Sequence, residues 1–185
     1  MKISLKKIKK IDLEDFWNVA YKDKNAAWTK FNGPYFKDKL PEKEGFIHGE
    51  ASKKHLNNNM YKAIWCDGEI VGSVSAYYED GNLKRWLDVG ICIYDDSNWH
   101  KGIGKIALKK WIDEMFALVD LPHIGLTTWS GNQSMMHLAK KIGLNKEAEI
   151  PKVRYWENKY WDSIKYGILR NDWNNLKGGE ENIIL

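Results

Sequence analysis

Between Ser97 and Phe116 the chain reads SNWHKGIGKIALKKWIDEMF. Gly102 and Gly104 sit among His100, Lys101, Ile103 and Lys105, just ahead of an apolar-periodic segment. That segment places Leu108, Trp111, Ile112, Met115, Phe116 and Val119 on one helical face. The glycines therefore stand where a loop becomes a helix, at about Gly104. Backbone N–H groups in a helix's first turn have no intrahelical partner, and the helix dipole adds partial positive charge there. Glycine lets a ligand come close to the backbone. Lys101, Lys105 and Lys109 add formal charge. A phosphate or pyrophosphate is the natural guest, and a plain glycine turn before an ordinary helix is the alternative. A phosphate loop needs GxxxxGK followed by Ser or Thr, which is absent. A dinucleotide fingerprint needs GxGxxG after the first strand of a parallel unit. Here Ala107 takes the third glycine's place, and an antiparallel hairpin precedes the loop.

Asp88, Gly90, Cys92 and Tyr94 alternate onto one face of the strand that feeds this loop. A carboxylate and a phenol would thus share a face with a thiol. Cys92 has no histidine at a persuasive spacing and reads as a small buried strand residue rather than a nucleophile. Cys66 and Cys92 form no CxxC, and no Cys/His cluster has zinc spacing, so no metal site is expected.

Several elements must position these groups. KISLKKI (residues 2–8) reads as a first strand, and Asp12–Tyr21 as a helix with Leu13, Phe16, Trp17 and Ala20 inward and Asp12 able to cap it. Residues 22–59 are irregular, with Gly33-Pro34 and Pro41, and read as short helices and loops covering a binding site. Met60–Cys66 and Ile70–Tyr78 form a hairpin about Asp67-Gly68-Glu69, followed by a third strand, Arg85–Tyr94. His123–Trp129 is a further strand, and Asn132–Gly143 a helix ended by its glycine. Lys152–Leu169 reads as a last hairpin turning near Glu157-Asn158. Residues 170–185 are a C-terminal tail, and its part after Trp173 reads as frayed or packed only through Ile183, Ile184 and Leu185. Antiparallel runs mixed with βαβ units give an α/β (α+β mixed) fold, a sheet flanked by helices.

The 185 residues suit one well-cored domain, 1–185. A net charge of +4, with scattered lysines, gives no nucleic-acid stripe, and a mildly basic chain leans against a polycationic ligand. No apolar signal core follows the basic N-terminus and no run could cross a bilayer, so a reduced, cytoplasmic protein is expected. Ten tryptophans and nine tyrosines promise a rigid aromatic core or an aromatic-lined pocket.

DVGICIYDDSNWHKGIGKIALKKWID closely resembles the coenzyme A-binding motif of the GNAT superfamily of N-acetyltransferases, Gln/Arg-x-x-Gly-x-Gly/Ala. Trp99 takes the first place, as in the branch similar to ribosomal-protein N-terminal (alanine) acetyltransferases. TTWSGNQSMMHLAKKIGL resembles that branch's second motif, with Asn132 eleven residues before Gly143. The resemblance covers roughly Met60 to Trp173. It implies a mostly antiparallel sheet splayed between its fourth and fifth strands, with acetyl-CoA in the gap. It implies backbone contacts to pantetheine at Cys92 and Ile93, a pyrophosphate on His100, Lys101, Gly102, Ile103, Gly104 and Lys105, and Asn132 as a cofactor contact or a helix cap. By the same resemblance Asp88, eleven residues before Trp99, is the leading general base, ahead of Glu157 and Asp162. The family's usual acids are missing: Ala139 stands at the tyrosine position and Met135 at the serine position, leaving Ser134 or Tyr94 as substitutes. Trp28, Tyr35 and Phe36 would line the acceptor on one side, and Trp129, Tyr155 and Tyr160 on the other. The implied reaction is direct acetyl transfer in a ternary complex to a primary amine, either a protein N-terminus or a small molecule. A non-catalytic acyl-CoA sensor of the same fold is the alternative. A monomer or a homodimer fits either reading.

Overall fold

The computed structural model describes residues 1–181. In chain order the elements are β1 (Ile3–Lys6), α1 (Leu13–Ala20), α2 (Lys43–Ile47), β2 (Tyr61–Cys66), β3 (Glu69–Tyr78), β4 (Leu87–Ile93), α3 (Ile103–Leu118), β5 (His123–Trp129), α4 (Gln133–Lys141), β6 (Asn145–Trp156), β7 (Lys159–Leu169) and α5 (Arg170–Glu181). The seven strands follow the order β1-β2-β3-β4-β5-β7-β6. The sheet is mostly antiparallel, with β4 and β5 parallel. Among the described residues, no helix is long and apolar enough to cross a membrane.

The chain packs as two compact units. The first comprises Met1–Ser75 with Ile91–Trp111, and the second Ala76–Gly90 with the chain from Ile112 onward. The first unit's core is aromatic. Phe16 of α1 stacks on Phe46 of α2 with centroids 5.9 Å apart, and Trp28 meets Tyr94 edge-on at 5.3 Å. Ile8, Leu13, Ala20, Ala63 and Ile70 complete it. The irregular stretch before β2 contains the short helix α2 and two single 3-10 turns, Ala27–Lys30 and Pro34–Phe36. Asp12 accepts from the Lys9 N–H at 2.8 Å rather than capping α1 with its side chain.

In the second unit Ile124, Leu126, Ile164, Tyr166 and Ile168 alternate inward along β5 and β7. The last hairpin turns at Glu157 and Asn158, both at positive φ, as a tight two-residue turn requires. β6 begins at Asn145, earlier than the Lys152 expected from sequence, because its first half is exposed and lacks an apolar alternation. The expected frayed tail is instead α5, up to Glu181. Trp173 is buried and donates from Nε1 to Asp113 at 2.7 Å, and Lys177 pairs with the same carboxylate at 2.8 Å. Arg170 donates to the carbonyls of Phe116, Val119 and Leu121, satisfying groups left open at the end of α3. Tertiary anchoring thus overrides a sequence with two glycines and poor helix propensity. Ile183, Ile184 and Leu185 lie outside the described residues.

Candidate active site

The loop before α3 is built around backbone that most residues avoid. His100 lies at φ 60° and Gly102 at φ 84°, with Lys101 between them. Alternation of this kind turns successive N–H groups toward one concavity, an arrangement suited to anions. A side chain at Gly102 would meet nothing within 4 Å, so the loop is open above it. His100, Lys101 and Gly102 are exposed, and Gly104 and Lys105 half-exposed. Ile103 is buried and anchors the first turn of a sixteen-residue helix. Trp99 donates from Nε1 to the Ile93 carbonyl at 3.0 Å and packs edge-on against Phe31. The tryptophan therefore ties the loop to the end of β4.

β4 changes character along its length. Leu87, Asp88 and Val89 are buried, whereas Gly90 to Ile93 are half-exposed. Its pairing with β5 joins Leu87 to Ile124 and Asp88 to Gly125, at the strand's beginning. The Cys92 carbonyl faces β3, 2.2 Å from where a Cβ on Gly72 would stand. The Tyr94 N–H also goes to β3, donating to the Val71 carbonyl at 3.0 Å. By strand alternation the backbone groups of Ile91 and Ile93 point the other way. The resemblance suggested Cys92 and Ile93 as backbone contacts. The geometry turns the Cys92 carbonyl toward β3 and the Ile91 and Ile93 backbone away from it. Burial pushes the Cys92 thiol far above its ordinary range, which suits packing and not nucleophilic attack.

Beside Cys92 the first unit holds a ring of hydroxyls. Tyr94 Oη lies 2.7 Å from Ser73 Oγ and 3.3 Å from Tyr61 Oη, and Tyr61 donates to Ser73 at 3.0 Å. Burial raises the Tyr94 and Tyr61 phenols above their usual pKa, so both stay protonated. Tyr21 is raised likewise, by burial first. Sequence reading named Tyr94 but missed Ser73 and Tyr61. The available signal was a serine set among the apolar residues of IVGSVSAYY. Trp28 is interior, donating from Nε1 to the Ala20 carbonyl at 3.2 Å, while Tyr35 and Phe36 lean on each other nearer the surface.

In the second unit Asp88 is fully buried. Its Oδ2 accepts from the Thr127 hydroxyl at 2.6 Å and lies 3.5 Å from the Lys165 ammonium. Burial raises the carboxyl above its ordinary range, against the lowering effects of Thr127 and Lys165. Asn132 accepts from the Met135 N–H at 3.0 Å, the helix-cap geometry, and Ser134 is exposed on the first turn of α4. Trp129 is buried edge-on against Trp161, and Tyr155 is exposed beside Tyr160. Glu157 sits in the exposed hairpin turn, and Asp162 accepts from the Lys152 N–H at 2.9 Å. Ala139 is buried in α4, with no hydroxyl to offer.

The sequence profile of the acetyltransferase (GNAT) domain matches residues 2–145. The chain is a GNAT acetyltransferase. As a member of this family it is an N-acetyltransferase, and its acetyl donor is acetyl-CoA. The GNAT chain is 24% identical over 172 residues to spermidine N(1)-acetyltransferase of Escherichia coli, covering 90% of this chain and 87% of that one. A GNAT-family acetyltransferase from Bacillus anthracis superposes with a TM-score of 0.71 at 17% identity, covering 92% and 96% of the two chains. Spermidine N-acetyltransferase from Vibrio cholerae, in complex with CoA and spermine, gives 0.71 at 18% identity, covering 92% and 97%. The loop at Gly102 is exposed and Ile91 and Ile93 are half-exposed.

Proposed function

We propose that the whole chain acts as one acetyltransferase domain that acetylates the primary amine of a small molecule by direct transfer. The donor supplies an acetyl group activated as a thioester. The loop His100–Lys105 and the α3 N-terminus hold its pyrophosphate, and the backbone of Ile91 and Ile93 holds its amide-bearing arm. Asp88, reached through a relay of water, accepts the proton that the amine loses as the N–C bond forms and the C–S bond breaks. Tyr94, kept protonated by its burial and held by Ser73, donates to the departing thiolate. The single observation carrying this reading is the opening of β4: a mid-sheet strand whose second half is half-exposed, leading into an exposed loop at positive φ.

A small amine is supported by the names of the relatives. The surface of the first unit adds a limit. Glu42 pairs with Lys24, Glu14 with Lys43 and Glu50 with Lys53, so these acids are neutralised within the chain. An acceptor held by one reactive amine suits this surface better than one held by many positive charges. The setting proposed is the cytoplasm, where Cys66 and Cys92 stay free thiols, as they are here.

The test is thermal unfolding with acetyl-CoA and desulfo-CoA, followed by an acetylation screen of monoamines, spermidine and a peptide N-terminus. At 100 times the dissociation constant a ligand adds about 2.7 kcal/mol, or roughly 5–10 °C for a chain of this size. Gly102→Asp should abolish that shift, and Gly102→Asn, which tolerates the same φ without the charge, should keep most of it. No shift in the folded wild type would overturn the donor site. Turnover of the peptide alone would overturn the acceptor class.

A further inference from the structure

Asp88 belongs to a built constellation that the mechanism above uses only in part. The register sets Thr127 of β5 opposite Lys165 of β7, and Asp88 of β4 opposite Gly125 of β5. The Lys165 ammonium lies 3.3 Å from Glu79 Oε1 and 3.5 Å from Asp88 Oδ2, above the ring of Trp86 at 4.5 Å. Thr127 donates to Asp88 Oδ2 at 2.6 Å and lies 3.5 Å from Glu79 Oε1. The Asp88 side chain is 1% exposed, Lys165 19% and Glu79 28%. Asp88 Oδ1 stands 2.2 Å from the place of a Gly125 Cβ, so only glycine admits the carboxylate there. That same oxygen is buried and accepts no hydrogen bond. One carboxylate oxygen is therefore fixed and the other is free.

Building on the reading of Asp88 as the proton acceptor, we propose that Lys165 and Glu79 are opposed positioning residues for it. The Lys165 ammonium and Thr127 hold Oδ2, which leaves Oδ1, buried beside Gly125, as the basic atom. Glu79 shares the ammonium and limits how far it weakens the base. A cation within about 4 Å favours the ionised carboxylate, while a second carboxylate favours the protonated one. Burial alone would leave Asp88 protonated too readily to serve. Lysine alone would leave it too weak a base. Two further titratable groups border the cluster. Tyr77 of β3 is held protonated by burial and by the Asp88 and Glu79 charges. His123 of β5, whose ring also approaches Gly125, pairs with Glu147 of β6 at 2.8 Å.

Opposite displacements in two variants distinguish this role from a merely structural one. The experiment follows the Asp88 carboxyl carbon by NMR across pH in the wild type, Lys165→Met, Lys165→Arg and Glu79→Gln, with Asp88→Asn to assign the signal. The same proteins are assayed for kcat against pH with a fluorinated alkylamine that stays neutral over the range. Lys165→Met should move the carboxyl titration and the acid limb of kcat to higher pH by about 1–3 units, and Glu79→Gln should move both lower. Lys165→Arg should stay near wild type, because the charge is kept. Displacements in the same direction, or none in the folded Glu79→Gln and Lys165→Met proteins, would overturn the proposal. Full wild-type kcat in Asp88→Asn would instead overturn the base assignment, while the carboxyl titrations would still decide what Lys165 and Glu79 do to Asp88.

Discussion

Replacing Tyr94 by phenylalanine separates chemistry from packing, because the hydroxyl ring can close without it. Tyr94 Oη contacts Ser73 Oγ at 2.7 Å and Tyr61 Oη at 3.3 Å. When it is removed, Tyr61 and Ser73 still bond each other at 3.0 Å, so no buried hydroxyl loses every partner. The ring itself keeps its contacts with Trp28 and Phe16. The stability cost is then about one net hydrogen bond, near 1 kcal/mol, which lowers the melting temperature by about 2–4 °C. The catalytic cost is larger if Tyr94 protonates the departing thiolate. General acid catalysis contributes about 100-fold or more, and a thiol of ordinary acidity leaves readily enough to keep the loss near the lower end of that range. The expected result is a kcat reduced about 100-fold, with acetyl-CoA affinity retained. Burial raises the phenol's pKa, so the donor form persists at ordinary alkaline pH and Tyr94 adds no alkaline limb to the wild-type profile. Steady-state kinetics at saturating donor and acceptor, alongside calorimetry, makes the measurement. A Tyr94→Phe protein that turns over at the wild-type rate would refute the donor role, whatever its melting temperature.

Gly72→Ala should destabilise the first unit, since the new methyl would stand 2.2 Å from the Cys92 carbonyl and 3.1 Å from Ile93 Cδ1. Forcing β3 and β4 apart costs about 1–3 kcal/mol, or roughly 3–10 °C, and should weaken acetyl-CoA binding because the displaced strand is the one proposed to hold it. An unchanged melting temperature would contradict the close approach. Burial, and next the Lys54 charge, depress His55 to about 4 from an ordinary value of 6.5. The unfolded chain then binds this proton more readily than the folded one, so this contribution to stability is complete above pH 6.5 and is lost as pH falls toward 4. Melting curves from pH 7 to 4 should show that decline in the wild type and a shallower one in His55→Phe, and parallel curves would exclude it.

What the sequence disclosed and what it hid follow from the range over which each signal acts. The loop at Gly102 and the face of α3 are written in local spacing, so both were legible. So was the strand His123–Trp129, whose apolar residues are bounded by turns. β6 was half hidden because an exposed edge strand needs no apolar alternation to be held by its neighbour. α5 was hidden because Trp173 and Lys177 gain their partner, Asp113, from a helix sixty residues away in the chain. Asp88 was visible as a residue type on the right strand face. Its partners were not, because Glu79 comes from the turn after β3 and Thr127 and Lys165 from two other strands, with no common spacing.

On the proposed mechanism Tyr94 stands in for the tyrosine that the family's second motif usually carries. A buried alanine at 139 removes a hydroxyl from α4, yet the demand for a proton donor concerns where a hydroxyl lies and not which element bears it. Tyr94 sits at the far end of β4, two residues beyond Cys92 on the same strand face, and Ser73 and Tyr61 orient it. Restoring a tyrosine by Ala139→Tyr therefore offers no rescue by simple addition. Position 139 is fully buried, so the ring would have to displace core side chains at a cost of about 1–3 kcal/mol before it could reach any ligand.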